Sequence, residues 1–297
     1  MRNIIFVLLK LFHFRVFRWN IKAIKNRDRC QRIWHACFLF LIMNMFFSGC
    51  EKVIDIDLNE ANPALVIEGN LSYEDNRLLV KISETGSYFD ESPMKKVTGA
   101  DVYLDLPDEK SMRAFEDEPG VYRLSNVPLS FEAGYVLRVK AAGVTCSAKS
   151  TLNKMIEIDS LTYKYYKEKE LFDNGYRINI YFNDPVENRN YYRIRVYKNG
   201  TLKNGIDDLI VFDDSGIDGK YVQVRLSGQV FSKGDTAKIE LVSIDEGVWK
   251  YFTTLSEVAD LHPGSPAPAN PVSNFNNGVL GYFSAWSNSY GTIIIDK

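Results

Sequence analysis

Histidine is almost absent from this sequence of 297 residues, which contains three in all. Only His262 lies beyond residue 50, so a Ser-His-Asp or Cys-His device would have to use that one imidazole. Its place before Pro263, at the end of a predicted helix, favours an interaction with the helix dipole instead. The sequence also lacks Gly-rich phosphate loops and the Cys-x-x-Cys and His-x-x-x-His pairs typical of zinc sites. We therefore predict that the protein is not an enzyme and uses no metal or cofactor.

Cysteine is scarce too, with four residues in the chain, of which Cys50 and Cys146 follow residue 49. If Cys50 is acylated, these two residues cannot form an intramolecular disulfide, and stability must come from packing. Cys146 lies on the inward face of a predicted strand, where we expect the thiol to behave as a small hydrophobic group.

An apolar run from Ala36 to Phe47 is interrupted only by Asn44. As a helix it would be about 18 Å long, which is short of the roughly 30 Å hydrocarbon core of a bilayer. Basic residues precede it, namely Lys22, Lys25, Arg27, Arg29 and Arg32. Length and charge favour a signal peptide over a short buried helix or a retained membrane helix. We assign residues 1–49 to a basic N-terminal extension and this signal peptide; residues 1–32 are either an over-extended start or a basic surface helix.

The run ends in Phe47, Ser48 and Gly49, followed by Cys50. Small residues before a cysteine allow a peptidase to approach the backbone, and the thiol is then available for thioether lipidation. The segment resembles the bacterial lipobox, with Phe47 in place of the usual aliphatic residue. We predict lipidation at Cys50, with residues 50–62 as a tether that can dock in part as an edge strand.

Positive charge is concentrated before the predicted cleavage site. Residues 1–49 hold nine Lys/Arg and one Asp; removing these from totals of 36 and 38 leaves 27 basic and 37 acidic residues, a formal charge of −10. Such a surface is repelled by phosphate backbones, so we exclude nucleic acid as a partner.

Period-2 alternation of apolar residues dominates from Pro63 onward and predicts a mainly β protein built from antiparallel β-sandwich modules. Val102, Leu104 and Leu106, for example, should face the core. We place one module at residues 63–152. Its order of Gly-Ala-Asp-Val, Gly-Val-Tyr-Arg-Leu and Gly-Tyr-Val-Leu-Arg-Val resembles prealbumin-like modules such as the carboxypeptidase regulatory domain, with an immunoglobulin-like sandwich as the alternative.

A second β-rich module is predicted at residues 153–297. Its apolar period changes once, because Val248, Tyr251, Phe252, Leu255 and Val258 follow helical spacing. We predict one amphipathic helix at about 246–261, with Asp245 as N-cap and Pro263-Gly264 as the stop. Two closing strands are expected at Val279–Trp286 and Thr292–Ile295.

The strand at 191–198 carries candidate binding residues, since exposed tyrosine beside arginine is typical of interfaces. These are Tyr191, Arg193, Arg195 and Tyr197. The rival interpretation is ordinary sheet packing with cross-strand pairs.

Carboxylates cluster in Phe212–Gly219, which looks superficially like a calcium loop. Counted from Asp214, position 3 is Gly216 and position 12 is Arg225, where an EF-hand needs a bidentate glutamate. We therefore expect a solvated turn and no metal.

Two motifs stand close together near the C-terminus, Asn270–Asn274 (NPVSN) and Asn277–Ala285 (NGVLGYFSA). Together they resemble the closing signature of a Bacteroidetes lipoprotein family called domain of unknown function 4249. Other segments also fit this family, namely Cys50–Asp55, Leu65–Gly69, Ser83–Thr85, Tyr88-Phe89, Val97–Ala100 and Phe212–Lys220. The resemblance spans roughly residues 50–297, and departs from the family at Asn277-Gly278-Val279, where Gly-Gly is usual. The resemblance implies an envelope lipoprotein, often found alongside TonB-dependent outer-membrane receptors, with no established catalytic residues.

Together these observations predict a non-enzymatic lipoprotein of the cell envelope, anchored to the outer membrane through Cys50. Its role would be that of an interaction or accessory protein of a TonB-dependent transport system. The alternative is a surface-exposed ligand- or glycan-binding lipoprotein, because aromatic rings stack on sugars. A hydrolase with a carboxylate pair is the third hypothesis. The face of the outer membrane that carries the protein is left open.

Overall fold

The computed structural model describes residues 34–35, 38, 63–86, 94–167, 174–186, 188–259 and 270–296. The chain divides into two units, Met1–Asn59 and Glu60–Lys297, and the account below concerns the second. The predictions for Phe47, Ser48, Gly49, Cys50, the tether, His262 and Pro263-Gly264 lie outside the described residues. Within these residues, no helix combines the length and the apolarity that crossing a bilayer requires.

Sixteen strands and one helix make up the described part of this unit. The strands are β1 (Leu65–Ser72), β2 (Arg77–Glu84), β3 (Lys95–Lys96), β4 (Asp101–Asp105), β5 (Ser111–Glu118), β6 (Val121–Leu124), β7 (Ala133–Ala141), β8 (Val144–Leu152), β9 (Ile158–Tyr166), β10 (Gly175–Asn183), β11 (Tyr191–Lys198), β12 (Thr201–Leu202), β13 (Ile210–Asp213), β14 (Tyr221–Arg225), β15 (Thr236–Ile244) and β16 (Leu280–Ile294). A 3-10 turn covers Ile206–Asp208, and helix α1 covers Glu246–Ala259. The prediction of a mainly β protein is therefore confirmed.

Thirteen strands form one sheet, with the order β12-β11-β15-β16-β1-β2-β6-β5-β4-β7-β8 and with β13 and β3 paired to β11 and β2. The other sheet has the order β14-β10-β9. Among the described residues every strand pair is antiparallel, as predicted, except β1 with β16, which run parallel from Val66↔Leu280 to Ser72↔Trp286. The exception joins the first and the last strand of the unit.

β16 is one strand of 15 residues, although the sequence predicts two strands separated near residue 290. Gly291 does not end the strand. Because it has no Cβ, the Leu161 side chain of β9 can approach β16 closely at this point. A Cβ at this position would lie 2.8 Å from the Leu161 side chain. The uninterrupted strand pairs with both β1 and β15, so it joins the two residue ranges that the sequence assigns to separate modules. That division into modules stays a prediction.

The first core gathers apolar side chains from β1, β2 and β6 and from β4, β7 and β8, with β5 pairing to both β6 and β4. Val102, Leu104 and Leu106 are buried, as their alternation predicts. A buried tyrosine fixes one corner, because the Tyr122 hydroxyl donates to the Val97 carbonyl (3.2 Å) and accepts from the Ala100 amide (2.8 Å). Sandwich-like packing of a folded sheet thus replaces disulfides as the source of stability.

A second core lies between the three-stranded sheet and β11, β15 and β16. Ile178, Ile180 and Phe182 of β10 are fully buried. Arg177 and Asn179 alternate with them on the opposite face of the strand, yet they are only 3% and 6% exposed. Both side chains form hydrogen bonds. Arg177 Nε donates to the Ser227 carbonyl (2.8 Å), and Asn179 Nδ2 donates to the Thr162 hydroxyl (3.3 Å).

Helix α1 begins where the sequence predicts it. Asp245 Oδ1 accepts a hydrogen bond from the Val248 amide (2.9 Å), which satisfies one of the free donors of the first turn. The other carboxylate oxygen accepts from the Thr151 amide (2.9 Å) and from the Ser150 hydroxyl. The same side chain therefore caps the helix and ties it to β8. Val248 and Phe252 then pack against Tyr191, Val242 and Ile244 of the sheet, which places the helix over one end of that face.

Asparagine side chains of the loop before β16 form hydrogen bonds to the neighbouring strands. Asn274 accepts from the Phe283 amide (2.9 Å) and donates to the Phe283 carbonyl (2.8 Å). Asn276 accepts from the Ser147 amide and Asn277 donates to the Thr145 carbonyl, each at 2.8 Å. Asn274, Asn276 and Asn277 therefore hold β8 beside the start of β16.

Candidate ligand-binding groove

One face of the large sheet carries a groove that crosses β2, β1, β16, β15 and β11, closed at one end by α1. We call this feature the groove. It encloses about 430 Å³ and is lined by Glu68, Asn70, Ser72, Glu74, Asp75, Arg77, Leu79, Lys81, Arg193, Arg195, Leu202, Val242, Ile244, Phe252, Tyr282, Ser284, Trp286 and Tyr290. The alternation of strand side chains explains its composition, because every second residue of each strand points to this face. Its size lies within the range of small-molecule sites.

Glu240 lies at the β15 side of the groove with no exposure to solvent. It accepts from Arg195 (3.0 Å) and from the Tyr197 hydroxyl (2.9 Å), and the Tyr290 hydroxyl lies 3.5 Å away. The register explains the cluster, since Glu240 lies directly between Arg195 of β11 and Tyr290 of β16. Burial, together with the neighbouring Glu240 charge, raises the pKa of Tyr197 to about 12. The Tyr197 hydroxyl therefore keeps its proton, and its bond to Glu240, at neutral pH.

Tyr290 also links this cluster to the β1–β2 turn. Its hydroxyl donates to Glu74 (2.8 Å), which accepts a second bond from the Asn288 amide nitrogen (3.1 Å). Asp75 pairs with Arg77 at 3.2 Å on the same turn. The charged groups at this end of the groove are thus largely engaged with one another.

Arg193 is the exception. Its guanidinium carbon lies 4.1 Å from the ring centroid of Phe252, and its polar neighbour is Tyr282. No carboxylate oxygen of the described residues lies within 4.0 Å of an Arg193 guanidinium nitrogen, the distance of an ion pair. Burial lowers the pKa of this guanidinium. A cation held in this way is costly unless something else neutralises it.

Two buried polar atoms of β16 also lack a partner among the described residues. They are the indole Nε1 of Trp286 and the side-chain oxygen of Asn288. Trp286 and Asn288 are two residues apart, so their side chains lie on the same face of the sheet, and Trp286 lines the groove. One is a donor and the other an acceptor, and buried polar groups are almost always satisfied in native proteins.

A smaller cavity of about 180 Å³ adjoins the groove and shares Arg193, Arg195, Leu202 and Phe252 with it. Its outer wall is the segment from Lys203 to Leu209, which includes the 3-10 turn. Arg193 therefore lies where the two spaces meet, at the end covered by α1.

The four candidate binding residues of β11 separate into two environments. Arg193 and Arg195 line the groove, and Tyr197 borders it through Glu240. Tyr191 instead packs against Trp249 of the helix with ring centroids 5.3 Å apart, and it is 8% exposed. Sequence reasoning missed Tyr282, Trp286 and Tyr290, although their spacing of four residues along a strand indicates a shared face. Binding by any of these residues stays a prediction.

The acidic turn differs from the expected solvated turn. Asp214 and Asp218 meet Asp184, and one carboxylate oxygen of each lies within 4.8 Å of the others. Asp184 is 4% exposed and Asp214 5% exposed. Asp184 accepts from the Tyr192 hydroxyl (2.5 Å) and the Gly219 amide (3.1 Å), and Asp214 accepts from the Asn190 amide (2.7 Å). These bonds give the cluster an architectural role, in which burial raises the pKa of Asp184.

Comparisons with known proteins identify a family and a weak structural likeness. No curated protein matches the chain. The crystal structure of chicken CNTN1 FN1–FN3 domains is similar with 12% sequence identity and a TM-score of 0.24, over 61% of this chain and 60% of that chain. The chain thus spans less than two thirds of the length of that structure. The model of the family described as "Domain of unknown function (DUF4249)" matches residues 51–291, so the chain belongs to that family.

Proposed function

We propose that the protein is a non-enzymatic lipoprotein of the cell envelope, that its β body works by binding, and that the groove is its binding surface. The observation that carries the binding role is the partly buried Arg193, which faces a cavity of about 430 Å³ without a carboxylate partner. Proteins tolerate such a charge where a ligand or partner supplies the counter-charge.

The carboxylates of the groove support binding over hydrolysis. A glycosidase needs an acid and a second carboxylate facing each other across the scissile bond, about 5–9.5 Å apart. Glu240 is held by Arg195 and Tyr197, and Glu74 by Asn288 and Tyr290. Groups engaged in this way favour a fixed binding surface.

The proposed anchor is a lipid on Cys50, which follows the Phe47-Ser48-Gly49 recognition segment. Metabolic labelling with an alkynyl palmitate tests it. Wild-type chain and a Cys37→Ser control should be labelled and recovered with outer membranes, whereas Cys50→Ser should be unlabelled and lost from them. A Cys50→Ser protein that stays in the envelope would exclude this anchor.

The proposed partner is a TonB-dependent outer-membrane receptor, as the family resemblance implies. Co-purification of the full-length chain in mild detergent should recover a β-barrel protein, in amounts that fall when Arg193 is replaced by Gln. Arg113→Gln is a matched control, because Arg113 forms an exposed pair with Asp101 on β4. Repeated recovery of the lipoprotein alone would count against the partnership.

A second candidate function, a glycan- or ligand-binding lipoprotein displayed to the medium, is favoured by the aromatic side chains Tyr282, Trp286 and Tyr290 in the groove. Protease treatment of intact cells separates the two candidates. Cleavage without lysis supports a surface binder, whereas protection until lysis supports a periplasmic accessory protein.

A further inference from the structure

We infer that the groove binds a carboxylated sugar, whose carboxylate pairs with Arg193 and whose hydroxyl groups meet the polar floor. This inference rests on the proposed binding function and names the class of ligand.

Arg193 is held in a geometry that suits a carboxylate. A guanidinium that stacks on an aromatic ring keeps its N–H donors in its own plane, at the edge of the stack. With its carbon 4.1 Å from the Phe252 ring, Arg193 keeps a fork of donors that fits the two oxygens of a carboxylate. A neutral ligand would leave this charge without a counter-ion.

The charged side chains of the groove leave Arg193 without a local counter-ion. Arg77 pairs with Asp75 and Arg195 with Glu240. Lys81 lies directly across from Glu68 on the neighbouring strand. The remaining carboxylate of the lining, Glu74, accepts from Asn288 and Tyr290 instead of pairing with Arg193, so a carboxylate on the ligand would be the counter-ion that Arg193 lacks.

The rest of the lining suits the remainder of such a ligand. The floor contributes Asn70, Ser72 and Ser284, and Trp286, which also lines the groove, has an indole N–H without a partner among the described residues. A hydrocarbon acid would leave these groups unsatisfied, at a cost of about 1–3 kcal/mol for each. Sugar hydroxyls donate and accept, so they can serve both kinds of group. Aromatic side chains in the walls suit the apolar faces of sugar rings.

Binding assays with full-length protein in detergent test the inference. The probes are D-glucuronate and D-galacturonate, with D-glucose and D-galactose as neutral counterparts and acetate as a plain carboxylate. Calorimetry or saturation-transfer NMR should show the uronates binding at least about tenfold more tightly than the neutral sugars and acetate, since one charged hydrogen-bonded pair contributes about 1.5–3 kcal/mol.

Variants locate the site. Arg193→Gln should weaken uronate binding about tenfold or more and leave the weak binding of glucose unchanged. Arg138→Gln is the matched control, because Arg138 pairs with Asp105 on an exposed part of β7, and it should bind like the wild type. Trp286→Phe removes the unpaired indole N–H but keeps an aromatic ring, so it should weaken uronate binding a few-fold. This variant still tests the site if Arg193→Gln does not fold.

The outcomes separate this inference from the proposed function. Two results would refute a carboxylate at Arg193 while leaving the groove a binding surface. One is equal affinity for neutral and acidic sugars; the other is uronate affinity that is unchanged in both Arg193→Gln and Trp286→Phe. If none of the sugars binds detectably, the ligand class is refuted. The proposed function would then be tested by receptor co-purification, which uses none of these probes. Tighter binding of acetate than of the uronates would replace the sugar by a simple acid.

Discussion

The guanidinium carbon of Arg193 lies 4.1 Å from the ring of Phe252, so the helix and the sheet meet through a cation and an aromatic face. Phe252 also contacts the Tyr282 ring, with centroids 4.9 Å apart. The position of α1 thus determines how Arg193 is presented to the groove. Capping, helix packing and the candidate site form one connected arrangement.

Replacement of Phe252 by Leu tests this arrangement. Phe252 is 5% exposed, and the change removes both ring packing and the cation–π contact. We expect a loss of about 1–3 kcal/mol in the free energy of unfolding, measured with urea.

Phe115→Leu serves as the control, because Phe115 is 67% exposed and lies beside Arg113 on the surface. Its free energy of unfolding should change by less than about 0.5–1 kcal/mol. Equal losses in the two variants would show that the Arg193–Phe252 contact adds nothing to stability.

Local patterns were enough to predict much of the fold. The alternation of Val102, Leu104 and Leu106 places their side chains in the core, and the change of period after Asp245 marks the helix and its cap. These features depend on neighbours within one element, where spacing determines which face a side chain occupies.

Features that depend on distant segments could not be predicted in this way. The parallel pairing of β1 with β16 joins residues more than 200 positions apart, and no local pattern encodes it. The groove shares this origin, since Arg193 meets Tyr282 only through sheet order. Asp184 joins Asp214 and Asp218 for the same reason. Gly291 lies inside the continuous strand β16, where the close approach of Leu161 is a tertiary contact that no local pattern encodes.

Asp245 should give stability a distinct dependence on pH. Burial raises the pKa of its carboxyl above the ordinary value of 3.8, so its contribution is fully present below that value and is lost as pH rises through the folded-state pKa. The stability advantage of wild type over Asp245→Asn should therefore shrink between pH 4 and pH 7 in urea unfolding series.

Asp235 provides a control of opposite sign. Hydrogen bonding from the Ser232 amide, supported by Lys198, lowers the pKa of Asp235 to about 2. Its contribution is present above the ordinary value of 3.8 and is lost as pH falls toward 2. The advantage of wild type over Asp235→Asn should thus grow from pH 2 to pH 5. Parallel trends for the two variants would contradict the assignment.

Gly281 should tolerate no side chain. Its φ is +100°, and a Cβ there would overlap the carbonyl oxygen of Ile67, its partner across the parallel β1–β16 pair. Gly281→Ala should cost more than about 4 kcal/mol or abolish folding, as judged by circular dichroism and yield.

Gly228→Ala is the matched control, since nothing lies within 4 Å of its added Cβ. It should fold with stability within about 1 kcal/mol of the wild type. A stable Gly281→Ala protein would show that β16 and β1 can separate without loss of the fold.

Glu240 should contribute far more to the free energy of unfolding than a surface carboxylate does. Glu240→Ala leaves Arg195 and the Tyr197 hydroxyl without their acceptor in a mostly buried site, while the Tyr290 hydroxyl keeps its bond to Glu74. We expect a loss of about 2–4 kcal/mol, below the 3–5 typical of fully buried pairs because Arg195 is 26% exposed. Glu84→Ala breaks only the pair with Lys95, which is 79% exposed, and should cost less than about 1 kcal/mol in the same urea titration. Similar losses would mean that the Glu240 cluster is not coupled.

Cys146 should resist modification until the protein unfolds. Its side chain is 2% exposed, and burial raises the pKa of the thiol to about 11, so about one molecule in a thousand carries the reactive thiolate at pH 8. Mass spectrometry after treatment with iodoacetamide should find the Cys146 peptide unmodified in native protein and fully modified in urea. Ser111→Cys adds a thiol at an exposed position of β5, and that peptide should be modified in native protein. Rapid native modification of Cys146 would show that the first core opens around β7 and β8, because reagent can reach this thiol only if those strands separate from the strands packed over them.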